Sequence, residues 1–219
     1  MHMAKPIAKL LSIMTPKRRW AQFSLATMLL VVTVLCVSLS VVVNWAHRQR
    51  DAVAAIQAFG GGAKYAEPDD EASEAFPKPF LRRWLPLDYF DKVREVYLYR
   101  TQVTDAGLAQ LQSLTELEEL DLRGTQVTGA GLAHLQGLTR LQVLFVTGIQ
   151  FKDAELVHLQ RLANLQWLSL DRTQVTDAGL AHLHVLHGLR VLFLNGTHVT
   201  DAGLAQLRQA LPNRQIYGP

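Results

Sequence analysis

The chain has 219 residues, of which 49% are hydrophobic, and its formal net charge is +3. The positive charge belongs to residues 1–50, which carry +7, whereas residues 51–90 carry −3 and residues 91–219 carry −1. The last segment therefore lacks the basic stripe that nucleic-acid binding requires, and the single cysteine, Cys36, excludes an intramolecular disulfide framework and a cysteine-rich zinc site.

An uncharged apolar run from Ala21 to Val43 predicts a membrane-spanning helix. As an α-helix its 23 residues would be about 34 Å long, enough to cross a bilayer. Trp20 and Trp45 bracket the run, where aromatic residues prefer the membrane interfaces. Basic residues are more numerous before the run than after it, so the positive-inside rule predicts a basic cytoplasmic tail, residues 1–20. The signal anchor would then be residues 21–45, with the remainder outside the cytoplasm.

A cleaved signal peptide and a buried soluble helix are the alternatives for this run. A signal peptide normally has an apolar core of about 7–15 residues and a small-x-small cleavage site. The run here is longer, and the nearest candidate site, Asn44-Trp45-Ala46, matches that pattern poorly. The sequence therefore favours a retained anchor over cleavage.

Residues 46–92 form a juxtamembrane segment before the repeats. Asp51–Phe59 has apolar residues at three-residue spacing, which indicates a helix that the following glycines end, and Ala63–Glu67 is a candidate strand. The acidic segment Pro68–Pro79 predicts a solvated loop, with an acidic metal or partner site as the alternative. Seven large apolar residues then crowd into residues 80–90. We interpret them as the N-terminal cap of the repeats, with a ligand pocket as the alternative.

From residue 93 onward, a 24-residue sequence repeat occurs five times without insertion or deletion. Its clearest phrase is Val-Thr-Asp-Ala-Gly-Leu, and the five copies begin at Val103, Val127, Phe151, Val175 and Val199. A fixed period of this length that carries L-x-x-L-x-L is the signature of a leucine-rich repeat. It predicts a solenoid in residues 93–219, made of five units and a C-terminal cap, whose stacked units bury one continuous core.

Within the second unit, Leu120 and Leu122 alternate with polar residues, which predicts a strand with one buried face. Equivalent inward pairs occur in the other units: Val96/Leu98, Leu144/Val146, Leu168/Leu170 and Leu192/Leu194. A Thr-Asp pair after the following turn is expected to cap a short helix, whose leucines at three-residue spacing face the sheet. The predicted fold class is therefore α/β, a solenoid with a parallel sheet on the concave face, helices on the convex face and one preceding transmembrane helix.

The units resemble those of bacterial leucine-rich-repeat proteins built from G-T-x-V-T-D-A-G-L-A-x-L, seen here at Gly124–Leu135 and Gly196–Leu207 with small changes. The entry to the apolar run, Arg18-Arg19-Trp20 followed by Phe23-Ser24-Leu25, is similar to the N-terminus of membrane-anchored members. The resemblance covers most of the chain. It is specific for the fold but implies little about function, because such repeats serve many unrelated binding roles.

Two features depart from the usual unit. Where the resemblance implies a ladder of asparagines after the strands, this chain has threonines, whose hydroxyls are able to donate and accept: Thr101, Thr125, Thr173 and Thr197. The third unit has Ile149 in that place, Lys152 for the capping threonine and Glu155 for the glycine. We interpret this unit as sequence drift, with a locally different outer side as the alternative.

Strand residues that alternate with the inward pairs face out of the concave sheet. Adjacent strands lie about 4.8 Å apart, so large apolar residues on the third to fifth strands are expected to form one patch. Such patches often mark interaction sites, and aromatic residues with charges at the rim are typical of protein interfaces. We predict a partner-binding surface made of Tyr97, Tyr99, Arg123, Val143, Phe145, Trp167, Asp171, Val191 and Phe193. The alternative is that these side chains only shield the sheet, or are covered by the N-terminal segment of the chain itself.

Repeated histidines are the strongest candidates for metal chemistry, since His134, His158 and His182 occupy equivalent positions. The same position holds Gln110 and Gln206 in the end units, which favours a generic solvated site. The sequence contains no P-loop, nucleophile elbow, dinucleotide fingerprint or zinc-protease helix. No catalytic residue, cofactor or metal is therefore predicted.

These inferences predict a non-enzymatic protein-binding module, displayed outside the cytoplasm on a single-pass membrane anchor. The partner is a protein whose identity the sequence does not specify, and the oligomeric state is equally unspecified. The alternatives are a structural or self-associating envelope protein and an enzyme hidden in residues 46–92.

Overall fold

The structure, a computed structural model, describes residues 25–66 and 92–218. The predicted basic tail (1–20), the acidic loop Pro68–Pro79 and the aromatic cluster at residues 80–90 lie outside the described residues. The chain forms two units, residues 1–43 and 44–219, which are considered separately below.

A single long helix, α1 (Leu25–Ala58), joins the apolar run to the predicted juxtamembrane helix without a break. In the first unit the large apolar side chains from Met28 to Val42 are 46–64% exposed. By length and composition, Thr27–Ala58 could cross a membrane, a property that signal sequences share. The described part of the first unit therefore agrees with the predicted apolar helix ahead of the solenoid.

In the second unit, the C-terminal turns of α1 belong to the solenoid core. Ala52, Val53 and Ile56 are buried in the same cluster as the repeat leucines, and Phe59 packs against that cluster. A short strand, β1 (Gly62–Tyr65), follows and pairs antiparallel with the first repeat strand. Within the described residues, helix and strand thus cover the N-terminal end of the core; residues 80–90, for which the sequence predicts the same role, lie outside the described residues.

Seven strands form one sheet, ordered along the chain and parallel from the second strand onward. The repeat strands are β2 (Val93–Tyr97), β3 (Glu119–Asp121), β4 (Val143–Phe145), β5 (Trp167–Ser169), β6 (Val191–Phe193) and β7 (Gln215–Tyr217). Because the period is constant, equivalent residues pair across every junction. Val96, Leu120, Leu144, Leu168, Leu192 and Ile216 form one inward column, buried throughout. The predicted leucine-rich-repeat solenoid is confirmed.

The convex side carries short helices, as expected, but only part of them is α-helical. The α-helices are α2 (Asp105–Gln110), α3 (Asp177–Leu180) and α4 (Asp201–Ala210). The rest is 3₁₀-helical: Leu111–Ser113, Gly129–Leu135, Asp153–Arg161 and Ala181–Leu183. The tighter helix rises about 2.0 Å per residue, which suits short connections that must return to the sheet within one unit.

The recurring Thr-Asp pair acts mainly between repeats. Asp153 accepts the backbone N–H of Thr176 at 2.8 Å and its hydroxyl at 2.6 Å. Equivalent contacts join Asp105 to Thr128 and Asp177 to Thr200. The expected side-chain cap within a unit is present at Thr176 and Thr200 and absent at Thr104 and Thr128. We refer to the contact between successive units as the Asp-to-Thr bridge.

The Asp-to-Thr bridge explains the glycine of the repeat phrase. A Cβ atom at Gly179 would lie 2.3 Å from the Asp153 carboxylate, and Gly131 and Gly203 stand in the same relation to the preceding aspartate. Each unit therefore needs a residue without a side chain where the aspartate of its predecessor arrives.

At the junction of the second and third units, a different set of residues replaces the Asp-to-Thr bridge. Gly129 stands where the aspartate would be, and Glu155 accepts the backbone N–H of Lys152 at 2.6 Å. A Cβ atom at Gly129 would lie 2.4 Å from the Glu155 side chain, which thus fills the space of the missing carboxylate. The three substitutions form one compensated exchange, which favours the locally different outer side over our interpretation as drift.

The turn after each strand is closed within its own unit. Thr101, Thr125, Thr173 and Thr197 each donate their hydroxyl to the carbonyl three residues earlier, at 2.6–2.8 Å. They therefore replace the asparagine ladder with local bonds. The residue before the ladder position has a positive φ of 55–74° in all five turns: Arg100, Gly124, Gly148, Arg172 and Gly196. Glycine adopts this conformation freely, whereas the two arginines adopt it with some strain.

Candidate protein-binding surface on the concave face

The outward strand residues form three columns across the concave face. The first column contains Glu95, Glu119, Val143, Trp167, Val191 and Gln215. The second contains Tyr97, Asp121, Phe145, Ser169, Phe193 and Tyr217. The third, which follows the strands at the same period, contains Tyr99, Arg123, Thr147, Asp171 and Asn195. All nine predicted residues lie in these columns, so the alternation of inward and outward residues placed them on one face.

The N-terminal half of this face, on β1 to β3, is charged. Lys64 contacts Glu95 at 2.8 Å, and the Tyr97 hydroxyl donates to the same carboxylate. The hydrogen bond from Lys64 lowers the pKa of Glu95. Glu119, the next residue of the first column, has a raised pKa because of burial and, second, the charge of Glu95. The predicted contact residue Tyr97 is thus engaged within the chain.

Arg123 stands at the border between the charged half and the rest of the face. Its guanidinium makes contacts of 2.6–3.1 Å with Asp121, a residue that is 3% exposed. This hydrogen-bonded partner raises the pKa of Arg123. The same guanidinium lies 4.9 Å from the ring centroid of Phe145 and 5.3 Å from that of Tyr99. Arg123 therefore has its charge balanced while its planar group rests on aromatic rings.

The C-terminal half, on β4 to β7, is mainly apolar and aromatic. Trp167 is 44% exposed, whereas Val191, which lies beside it on β6, is only 5% exposed and offers a partner almost no surface. Tyr217, which we did not predict, stacks on Phe193 with ring centroids 4.9 Å apart. The segment Gln215-Ile216-Tyr217 follows Val191-Leu192-Phe193 by one period, so extending the repeat into the predicted C-terminal cap would have found it.

A hollow of about 240 Å³ opens between the aromatic residues of the second column. Ser169, 5% exposed, stands between Phe145 and Phe193, and its hydroxyl lies 2.7 Å from that of Thr147. We call this hollow the Ser169 slot. Its lining is completed by two charged residues, Arg123 and Asp171.

The repeated histidines pair with glutamines of the preceding unit. Gln112 contacts the Nδ1 of His134 at 2.6 Å, and the Gln136–His158 and Gln160–His182 pairs are equivalent. The column of imidazoles is thus a polar ladder on the convex side. Among the residues that the structure describes, no group of three or more His, Cys, Asp or Glu side chains is placed to hold a metal ion.

No protein-family model and no curated protein matches this chain. Among solved structures it is similar to an internalin, inlF, from Listeria monocytogenes, at 26% identity and a TM-score of 0.48, over 57% of this chain and 34% of that one. It is similar to internalin C2 from the same organism at 27% identity and a TM-score of 0.47, over 58% of this chain and 62% of that one. It also resembles the LRR ectodomain of the receptor kinase SOBIR1 from Arabidopsis thaliana, at 15% identity and a TM-score of 0.47, over 79% and 97% of the two chains. The chain thus spans about a third and three fifths of the two internalins, and the fold assignment rests on the repeat geometry described above.

Proposed function

We propose that this chain is a non-enzymatic protein-interaction module that binds a protein partner through its concave face. In this proposal residues 93–219 are the binding domain, residues 46–92 connect and cap it, and residues 21–45 anchor it in a membrane with residues 1–20 in the cytoplasm. The observation that carries the proposal is the exposed aromatic surface of the C-terminal half of the concave face.

Three properties of that surface support binding. Trp167 and Tyr217 are 44% and 47% exposed, although both are large apolar side chains. Aromatic residues of this kind dominate the energetics of protein interfaces. The charged half and Arg123 supply a polar rim beside them.

The membrane anchor is supported by the exposure of α1 in the first unit. In water, a helix with side chains 46–64% exposed along Met28–Val42 would present apolar surface all round, whereas a bilayer would cover it. Retention of the anchor, as opposed to its cleavage, is supported by the burial of Ala46, the small residue of the candidate cleavage site. Ala46 is 2% exposed and lies in the middle of a continuous helix.

Site-specific photo-crosslinking in intact cells tests the concave face directly. The full chain would carry p-benzoylphenylalanine in place of Trp167, or, as a matched control, in place of Val185, an equally exposed residue outside the three concave columns. We expect discrete crosslinked products with another protein from position 167 and none of these from position 185. The same products from both positions, or none from position 167, would contradict concave-face binding.

The alternative, self-association, gives a distinct result in the same experiment. Crosslinks from position 167 that contain only a second copy of this chain would replace the partner-binding proposal with a structural role. Topology is tested separately by adding protease to cells stripped of their outer layers. We expect digestion of residues 46–219 without lysis, and protection of that segment until lysis would reverse the proposed orientation.

A further inference from the structure

We infer that the Ser169 slot binds the guanidinium group of an arginine side chain from the protein partner. This inference rests on the proposed function and adds to it the chemistry that the partner presents. It is carried by the spacing of the aromatic rings, the charges at the slot and the size of the hollow.

The slot is a gap in a column of rings. In the second column Phe145, Ser169, Phe193 and Tyr217 occupy successive strands, about 4.8 Å apart. Phe193 and Tyr217 show how this spacing is used, since their rings stack at 4.9 Å with an angle of 10° between their planes. Because Tyr217 covers Phe193 from the β7 side, the other face of the Phe193 ring is directed toward Ser169. A planar group inserted above Ser169 would therefore lie between the Phe145 and Phe193 rings at stacking distance.

The chain itself shows that the Phe145 ring accepts a guanidinium. The Arg123 guanidinium lies 4.9 Å from the centroid of the Phe145 ring. Planar guanidinium groups stack on aromatic faces and are attracted by the ring quadrupole. A second guanidinium in the slot would use the Phe193 face in the same way.

Charge decides between an arginine and a neutral aromatic residue. Asp171 accepts two hydrogen bonds from Asn195 through Oδ1, at 2.7 and 3.1 Å, and among the described residues its Oδ2 has no partner. Arg123 does not repel a second cation strongly, because Asp121 balances its charge. Across the described concave columns, Lys64 and Arg100, whose guanidinium lies on the Tyr99 ring, the four carboxylates Glu95, Glu119, Asp121 and Asp171 outnumber the three cations Lys64, Arg100 and Arg123. The face is therefore complementary to a basic partner.

The size of the slot indicates a single side chain. Its volume of about 240 Å³ lies below the range of about 300–1,000 Å³ that is typical of small-molecule pockets. Exposed Trp167 lies on the same strand as Ser169, and exposed Tyr217 lies two strands away on β7, where both are accessible to the backbone of the partner around an inserted arginine.

The inference is tested with blocked amino acids as probes. N-acetyl-arginine-N-methylamide and its citrulline and tyrosine counterparts would be titrated into the purified full chain in detergent micelles, with binding followed by ligand-observed NMR. Citrulline has nearly the same shape as arginine but carries no charge. We expect the arginine probe to bind roughly tenfold more tightly than the citrulline probe, as for a cation on aromatic faces beside a carboxylate.

Two variants and one control locate the binding. Ser169→Phe would complete the column of rings and abolish binding of the arginine probe, while Asp171→Asn would weaken it roughly tenfold and keep the shape of the site. Val185→Phe, outside the concave columns, should leave binding unchanged. Because Asp171→Asn is nearly isosteric, it keeps the test decisive if Ser169→Phe fails to fold.

The results that would contradict this inference differ from those that would contradict the proposed function. Equal binding of the arginine and citrulline probes, tighter binding of the tyrosine probe, or unchanged binding by both slot variants would overturn the inference. If free L-arginine bound at least tenfold more tightly than the blocked probe, the slot would be a small-molecule site instead. Crosslinks from position 167 that persist alongside any of these results would leave the proposed function standing.

Discussion

The two halves of the concave face share one backbone and one repeat period, yet most of their outward residues make different kinds of contact. On β1 to β3 most outward residues bond to one another, as Lys64 does with Glu95 and Arg123 with Asp121, and the exposed Tyr99 ring lies against two guanidinium groups. On β4 to β7 they leave aromatic rings exposed, with Trp167 and Tyr217 nearly half accessible. In a solenoid of constant geometry, the outward positions that the fold itself does not need are therefore free to differ from one unit to the next.

The largest predicted effect is on stability, and it distinguishes the buried core that both halves share from the exposed surface on which they differ. Leu168→Ala removes a fully buried side chain and should lower the free energy of unfolding by about 2–5 kcal/mol. Trp167→Ala, one residue earlier on the same strand, should lower it by about 1 kcal/mol or less, because the ring is 44% exposed. Denaturant unfolding of the full chain in detergent measures both. Comparable losses would mean that Trp167 belongs to the scaffold.

The second prediction concerns the junction on the convex side where the two halves meet. Glu155→Gly removes the acceptor of the Lys152 N–H and should cost about 1 kcal/mol. Gly129→Asp alone should also destabilise the chain, because the new side chain would collide with Glu155. The triple variant Gly129→Asp/Lys152→Thr/Glu155→Gly restores the Asp-to-Thr bridge and should recover most of the loss. Additive losses in the triple variant would show that the three residues are not coupled.

The third prediction tests whether the charged half is fully compensated. Glu119 has a raised pKa, so its ionised form is disfavoured in the folded state, whereas Glu95 has a lowered pKa and its ionised form is favoured. At pH 7 Glu119→Gln should stabilise the chain and Glu95→Gln should destabilise it, each by about a few tenths of a kcal/mol, given the partial exposure of both groups.

The pH dependence of the two glutamate variants follows from the same shifts. The destabilising contribution of Glu119 should begin to fall as the pH drops through its raised pKa and should vanish below the ordinary glutamate range, and with it the advantage of Glu119→Gln. The stabilising contribution of Glu95 is present above the ordinary glutamate range and is lost as the pH falls through its lowered pKa. Unfolding of the wild type and both variants between pH 3 and pH 8 measures this, and opposite signs from those stated would refute the assignment.

The smallest predicted effect compares the two strained turns, one in each half. Arg172→Gly should stabilise the chain by about 0.5 kcal/mol, because relief of the left-handed backbone slightly exceeds the entropy cost of a glycine. Arg100→Gly should gain less, since the Arg100 guanidinium lies 5.1 Å from the centroid of the Tyr99 ring and that contact would be lost. Melting temperatures of the two variants decide the order.

Much of this structure followed from the 24-residue period. The period and the alternation of leucines predicted the parallel sheet, its register and the outward columns, because equivalent residues must pair when no unit carries an insertion. The alternation of apolar and polar residues indicates which face of the sheet a side chain lies on but not how deeply it is buried. It therefore could not predict that Val191 is buried while Trp167 beside it is exposed. The packing of α1 into the solenoid core was also not predicted. The spacing of Val53, Ile56 and Phe59 indicates an apolar helix face but not the residues against which that face packs.

The exchange at Gly129, Lys152 and Glu155 was visible as a departure from the repeat, but its meaning was not. Position 129 belongs to one unit and positions 152 and 155 to the next, and only their contacts in the structure show that they fit together. In a single sequence, compensated substitutions and random ones look the same.

Because of this exchange, the units of the array are not interchangeable, and their order matters for how they pack. The third unit, with Glu155, fits only behind a unit that has glycine at the equivalent of position 129; behind any unit with the usual aspartate, the two carboxylates would compete for one space. The junctions of the third with the fourth unit and of the fourth with the fifth unit, by contrast, are alike, since Asp153 meets Gly179 as Asp177 meets Gly203. Copies of the fourth or fifth unit would therefore fit behind one another, whereas a copy of the third unit placed behind a unit with aspartate would not fit. The change from charged to aromatic surface on the concave face therefore coincides with the junction at which the convex side carries this exchange.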